Sequence, residues 1–167
     1  MATKKERIVL NSLPATLAEL MALPEAAQDT PQATAALAVA AFCAYPQNKD
    51  AALEMIDHLR GPRPMNGSDK QFIADRFRGK DYVPRSYFEG AAPQNDYAPS
   101  APYAITIEEN DYSYQTEGYA KLYIRSGGAD SSRPVTLRLA KDGKWYLWEY
   151  SSLLLGIRQP ESSNPWA

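Results

Sequence analysis

A β-hairpin constrains the fold of this chain more than any other feature of the sequence. The dipeptide Asp142-Gly143 is typical of a tight hairpin turn, and it separates the alternating runs VTLRLA and KWYLWEY. A two-residue turn would place three pairs opposite one another: Leu139 with Tyr146, Leu137 with Trp148, and Val135 with Tyr150. Because this face is wholly apolar or aromatic, we expect it to pack on the core.

The second face of the hairpin then carries Trp145 and Leu147, because successive strand residues point to opposite faces. A three-residue bulged turn would instead move Glu149 among apolar residues and bury an unpaired charge, which is costly. We therefore prefer the two-residue turn. The second face, beside Tyr119 and Tyr123, needs either a cover or a ligand.

The C-terminal tail is one candidate for that cover. Its residues Leu153–Leu155 and Ile157 are too apolar to be left in water, and Pro165-Trp166 directly precedes the last residue of the sequence. We expect Leu154 or Leu155 to join the core with Ile157, and Trp166 to pack on the body of the domain.

The hydrophobic period changes along the chain from helical to alternating. Thr30-Pro31 begins an alanine-rich helix, Asn48 caps the next helix, and Ser68-x-x-Gln71 has the pattern of a capping box. An earlier helix is expected over roughly 13–23. After Tyr103, YAITIEE and GYAKLYIRS follow the period of strands. We therefore expect an α+β fold with N-terminal helices packed on a C-terminal antiparallel sheet of three to five strands.

The length and composition predict a single domain over residues 1–167. The chain has 167 residues, of which 44% are hydrophobic, and this is enough to bury a core. The expected divisions are a helical half at about 1–80, an irregular crossing segment rich in tyrosine and proline at about 81–102, and the sheet with its folded-back tail at about 103–167. The rings of the crossing segment favour an ordered structure over a disordered linker.

The net charge of −2 gives no electrostatic reason to expect a nucleic acid or a membrane as partner. No apolar run is long enough to span a membrane, and we expect a cytoplasmic location. The charge is nevertheless uneven. Residues 86–119 contain six acidic and no basic side chains, while residues 60–85 and 120–158 are both basic. These segments either dock on one another or form a charged rim around a ligand site.

Residues with catalytic or metal-binding potential are few. The single histidine, His58, is expected on a solvated helix face, and the single cysteine, Cys43, is expected as a buried thiol. One residue of each type cannot build a His/Cys zinc site. Glu108, Glu109 and Asp111 lack the spacing of a calcium-binding loop. We therefore expect no catalytic residue, no metal site and no cofactor.

Two resemblances follow from these motifs. Helices followed by a sheet whose late hairpin reads VTLRLAKDGKWYL resemble the cone-shaped nuclear-transport-factor-two-like and cystatin-like α+β folds, over the C-terminal third only. Over nearly the whole chain, AALAVAAFCAYPQNKDAALEMIDHLRGPRPM, DYVPRSYFEGAAPQNDYAP, EGYAKLYIRSGGADSSRPVTLR and NPWA resemble a domain family of unknown function from anaerobic gut bacteria. That resemblance implies a single domain and no particular activity.

For function, the sequence favours a non-enzymatic module that binds an unknown protein or small molecule through an aromatic sheet face. The candidate ligand-binding residues are Tyr119, Tyr123, Arg125, Arg138 and Trp145. The alternative is a small-molecule enzyme with a cone-like pocket lined by Tyr, Arg and carboxylate groups. The shape of the sheet face distinguishes the two, because an enzyme needs a deep pocket with converging polar groups.

Overall fold

The computed structural model of the protein describes residues 3–99 and 102–166. In these ranges the chain forms four α-helices, which are α1 (Leu17–Met21), α2 (Pro31–Cys43), α3 (Lys49–Arg60) and α4 (Gly67–Phe77). It also forms five strands, which are β1 (Lys4–Leu10), β2 (Tyr103–Glu109), β3 (Tyr119–Ile124), β4 (Arg133–Leu139) and β5 (Trp145–Glu149). The predicted α+β class with an antiparallel sheet is confirmed. No helix in the described ranges is both long and apolar enough to cross a membrane.

The strands of the sheet follow one another in chain order, from β1 to β5, and all neighbours are antiparallel. Strand β1 was not expected, because the sequence assigned the N-terminal segment to the helical half. It pairs with β2 from Lys4 opposite Glu109 to Leu10 opposite Tyr103. Most of its residues are exposed, and the charged side chains of this edge strand discourage pairing with another chain.

Helix α2 is the centre of the fold, as its composition predicts. The Thr30 hydroxyl accepts a hydrogen bond from the N–H of Ala33 at 3.2 Å, and Pro31 occupies the first turn. Nearly every side of the helix is buried, and it contacts α3, β4 and β5. At its end Cys43 is partly exposed as a residue, but its thiol is buried as predicted, and burial raises the pKa of the thiol to about 12.

The N-terminal cap of α3 agrees with the prediction from the sequence, and that of α4 differs from it. Asn48 caps α3 as predicted, with its side-chain oxygen 3.1 Å from the N–H of Ala51. The capping box of α4 is formed by Asn66 and Asp69, so the prediction of Ser68 and Gln71 was wrong. Helix α1 is shorter than the expected range, and only Leu20 in it is buried.

The crossing segment is irregular and held by its aromatic rings, as predicted. It contains 3₁₀ turns at Val83–Tyr87 and Pro93–Asn95. The buried Tyr87 hydroxyl donates a hydrogen bond to the carbonyl of Leu153 at 2.6 Å, and Tyr97 donates to the carbonyl of Arg158. Both bonds tie the crossing segment to the C-terminal tail.

The tail folds back, but its end does not cover the sheet. Leu153, Leu154 and Ile157 are buried, which confirms the prediction for the apolar part of the tail. Trp166 is 91% exposed, so the prediction that it packs on the domain was wrong. Leu155 is also exposed. The end of the tail is therefore not the cover of the second face of the hairpin.

Candidate functional site

The outer face of the sheet, opposite the helices, carries an aromatic and basic surface at its β3–β5 end. Strand pairing places Tyr119 of β3 opposite Arg138 of β4, and Arg138 opposite Tyr146 of β5. Directly opposed residues share a face, so these three side chains lie on the same side. The other side of the same strands carries Leu122, Val135, Leu137 and Leu147, all of which are buried in the core.

The register of the hairpin differs from the prediction. Leu139 pairs with Trp145 and Leu137 pairs with Leu147, and the hairpin loop has three residues, Lys141 to Gly143. The φ of Gly143 is +83°, a left-handed value that glycine adopts easily and that is typical of the last residue in such loops. The prediction of a two-residue turn was wrong.

A β-bulge at Trp148 explains why the three-residue turn does not bury Glu149. Beyond the pair Leu137–Leu147, the next pair is Thr136 with Glu149, so Trp148 is the additional residue on β5. A bulge of this kind re-aims the side chains that follow it. Trp148 and Glu149 both border depressions on the outer face, while Tyr150 turns into the core.

Trp148 is the centre of a cluster of aromatic and guanidinium groups that we call the Trp148 cluster, which comprises Arg63, Tyr119, Arg138 and Trp148. The guanidinium carbons of Arg63 and Arg138 lie 4.3 Å and 4.6 Å from the centre of the Trp148 ring. Arg138 also lies 5.2 Å from the centre of the Tyr119 ring, and the Tyr119 and Trp148 rings meet edge to face at 5.7 Å. These distances are within the range of cation–π and aromatic attraction.

The Trp148 cluster borders a cleft of about 540 Å³ between the hairpin and the turn that follows α3. We call it the basic cleft. Its lining consists of Arg60, residues 62–63, residues 138–141, Tyr146 and Trp148. Four of these side chains are cationic and none is acidic.

Arg60 holds the two walls of the basic cleft together. Only 4% of its surface is exposed. Its side chain donates hydrogen bonds to the carbonyls of Arg63 at 3.0 Å and Trp148 at 3.2 Å, and its guanidinium lies 5.3 Å from the centre of the Tyr150 ring. A buried charge is costly unless it is hydrogen-bonded, so the two carbonyls have to stay close to the guanidinium. Arg60 thereby holds the turn after α3 against β5.

Tyr146 forms the wall of the basic cleft near the hairpin tip. Its hydroxyl donates a hydrogen bond to the Asp142 carboxylate at 2.6 Å. This bond lowers the pKa of Asp142, assisted by the N–H of Lys144, and it raises the pKa of Tyr146. Both groups keep their ordinary charge states at neutral pH, so the pair is a structural link across the hairpin.

A second depression, of about 480 Å³, adjoins the basic cleft and shares Trp148 with it. It is lined by Tyr119 and Lys121 of β3, Thr136 of β4, Glu149, and the loop before β3. Its lining has one basic and one acidic side chain, so it lacks the excess of positive charge that the basic cleft has.

The five candidate binding residues do not form one site. Tyr119 and Arg138 lie together in the Trp148 cluster. Tyr123 borders a different depression with Glu108 and Ser132, and Arg125 borders another with Glu89 and Ser126.

Trp145 lies on the side of the sheet that faces the core, contrary to the prediction. It packs against the core, and its carbonyl accepts hydrogen bonds from the side chains of Gln28 and Thr34, both at 2.8 Å. The sequence reasoning missed Trp148, Arg63 and Tyr146. The run KWYLWEY contained the signal for two of them, but the wrong register assigned their rings to the core.

The acidic segment 86–119 does not pair with the two basic segments. Among the described residues, its ion pairs join Glu108 to Lys5 at 3.8 Å and Glu89 to Arg7 at 2.7 Å, both on β1. No ion pair in the described ranges joins it to residues 60–85 or 120–158. The arginines of the basic cleft are therefore not neutralised by that segment.

Comparison with known proteins identifies a family without an assigned activity. Residues 12–161 match the family described as "Domain of unknown function (DUF6935)". No curated protein and no solved structure matches the chain. The resemblance to cone-shaped folds and the origin in gut bacteria stay predictions. Since the match spans most of the sequence, the chain belongs to this domain family of unknown function, DUF6935.

Proposed function

We propose that the protein is a non-enzymatic binding module whose ligand occupies the basic cleft on the outer face of the sheet. The observation that carries the proposal is the Trp148 cluster. It places two guanidinium groups over a tryptophan ring at the edge of a cleft that the C-terminal tail leaves open. The cytoplasmic location expected from the sequence is part of the same proposal.

The size and rigidity of the basic cleft favour a small molecule over a protein partner. Its volume of about 540 Å³ is in the usual range for small-molecule sites, which is roughly 300–1,000 Å³. The hydrogen bonds of Arg60 hold both walls, and a preformed site loses less conformational entropy when the ligand binds.

The enzyme alternative is less well supported at this cleft. General acid–base catalysis is most efficient when the pKa of the catalytic group lies near the working pH. At the rim of the cleft the Tyr146–Asp142 hydrogen bond shifts both pKa values away from neutrality, downward for Asp142 and upward for Tyr146. This favours a role in shaping the wall over a role in proton transfer.

A fragment screen followed by NMR tests the proposal. Three tryptophans, Trp145, Trp148 and Trp166, give three indole N–H signals, which Trp→Phe variants assign. A fragment library balanced between anionic, cationic and neutral compounds is added to the ¹⁵N-labelled protein. We expect hits that shift the Trp148 indole signal in a saturable way and leave the Trp166 signal in place.

The matched variants are Trp148→Ala and Trp166→Ala, because the second removes an exposed ring outside the cleft. Trp148→Ala should weaken binding of each hit by roughly tenfold or more, while Trp166→Ala should not change it. The dispersion of the amide spectrum and the melting temperature show that each variant is folded. If no fragment shifts the Trp148 signal, or if Trp148→Ala binds the hits unchanged, the basic cleft is not the binding site.

A further inference from the structure

The two guanidinium groups of the Trp148 cluster lie against the tryptophan ring and have unused donors. Arg63 and Arg138 are positioned by the tryptophan ring, and neither is in an ion pair within the described ranges. Neither side chain donates a hydrogen bond to another group in the part of the chain that the structure describes. A guanidinium that stacks on an aromatic face keeps the N–H groups at its edge available, and these match the two oxygens of a carboxylate or phosphate.

The charges around the basic cleft favour an anion. Arg60, Arg63, Arg138 and Lys141 line it, and no acidic side chain does. Asp142, at the hairpin tip, is already hydrogen-bonded to Tyr146. Glu149 borders the adjoining depression, and it accepts a hydrogen bond from the N–H of Ser151 at 2.8 Å. A cleft with charge of one sign raises the local concentration of the opposite ion.

The remaining surface of the cleft is apolar. Pro62, Ala140 and the rings of Tyr146 and Trp148 provide it. An inorganic anion would leave this surface in contact with water, whereas an organic group attached to the anion would cover it.

We infer that the ligand of the basic cleft is a small organic oxyanion, in which a carboxylate or phosphate bound by Arg63 and Arg138 is attached to an apolar or aromatic body. This inference rests on the binding function proposed above and adds the chemical class of the ligand. The oxyanion accepts hydrogen bonds from the free guanidinium edges, and its body lies against Pro62, Tyr146 and Trp148.

Four probes test the inference: the aryl compounds phenyl phosphate, benzoate and neutral benzyl alcohol, and inorganic phosphate, which lacks the apolar body. Each is titrated into the full chain while the Trp148 indole signal is followed. We expect phenyl phosphate or benzoate to bind at least roughly tenfold more tightly than both benzyl alcohol and inorganic phosphate. The preferred aryl anion identifies the oxyanion as a phosphate or a carboxylate.

Arginine variants give the second measurement. Arg63→Gln and Arg138→Gln should each weaken the preferred aryl anion by roughly tenfold and leave the affinity for benzyl alcohol unchanged. Arg78→Gln is the matched control, because it removes one charge from an exposed arginine that pairs with Asp75 and does not line the cleft. Arg138→Lys keeps the charge without the planar fork, and it should recover only part of the affinity.

The results that overturn the inference differ from those that overturn the proposed function. If benzyl alcohol binds as tightly as the aryl anions, or if the Arg→Gln variants bind them unchanged, the ligand is not an oxyanion, although the cleft remains a binding site. Equal affinity for inorganic phosphate and phenyl phosphate would show that the cleft does not bind an apolar body attached to the anion. If fragments shift the Trp148 signal but neither aryl anion does, the inference fails while the proposed function stands.

Discussion

Replacing Gly61 by alanine should destabilise the protein and displace the wall of the basic cleft. Gly61 follows α3 with φ +59° and ψ −115°, a conformation that residues with a Cβ rarely adopt. A Cβ at this position would lie 2.4 Å from two ring carbons of Tyr146. The substitution therefore combines backbone strain with a steric clash, and the ring has to move away from its hydrogen bond with Asp142.

The expected loss of stability is the sum of these two contributions, less a smaller gain from the unfolded state. Strain at such a backbone position costs about 1–3 kcal/mol, and forcing an extra carbon into a filled space costs a further 1–3 kcal/mol or so. The reduced entropy of the unfolded chain returns about 0.4–1 kcal/mol. Gly79→Ala is the matched control, because its φ is +70° and a Cβ there would contact nothing within 4 Å. We expect Gly61→Ala to be less stable than Gly79→Ala by about 2 kcal/mol, or roughly 4–8 °C in melting temperature for a chain of this length.

Thermal unfolding of both variants, alone and combined with Tyr146→Ala, measures the clash. In the Tyr146→Ala background the obstructing ring is gone, so the difference between Gly61→Ala and Gly79→Ala should shrink to the difference in backbone strain. If the difference is the same with and without the ring, contact between residue 61 and Tyr146 does not limit the space in the turn. The Tyr146 ring would then not be held by its contact with Gly61.

The C-terminal tail and the tyrosine hydroxyls yield two further predictions. Deleting residues 165–167 should leave the melting temperature within about 1 °C, because Trp166 is exposed. Replacing the buried Leu154 by alanine should instead lower the free energy of unfolding by about 2–5 kcal/mol. A large loss of stability on the deletion would contradict the exposed position of Trp166. Burial raises the pKa of Tyr150 to about 12 against the opposing charge of Arg60. Above about pH 10 the unfolded chain therefore ionises more readily than the folded one, and stability is lost as the pH rises from about 10 to 12. Tyr150→Phe should reduce this loss in chemical denaturation measured at several pH values. A loss as large as that of the unchanged protein would refute the assignment.

Part of the candidate site could be anticipated from the sequence. The alternation in β3 and β4 placed Tyr119 and Arg138 on one face, and the structure brings them together with Trp148. Arg63 could not be anticipated, because it lies in a turn more than fifty residues before β3 in the sequence, and only the packing of α3 brings it to the sheet. Strand β1 escaped prediction for a related reason, since an exposed edge strand buries little and so shows no apolar alternation.

By itself the sequence determined most of the local elements of this protein, although not β1. Caps such as Thr30 and Asn48 satisfy backbone groups within one turn, and alternating apolar residues identify strands, so both depend on neighbours close in the chain. Only the tertiary structure decided the register of the hairpin and which residues of the tail are buried. The bulge at Trp148 lets Glu149 stay at the surface while Tyr150 enters the core, and its position depends on how β5 packs against α2 and α3. Which rings face the core and which face a ligand is therefore set by contacts between residues distant in the sequence.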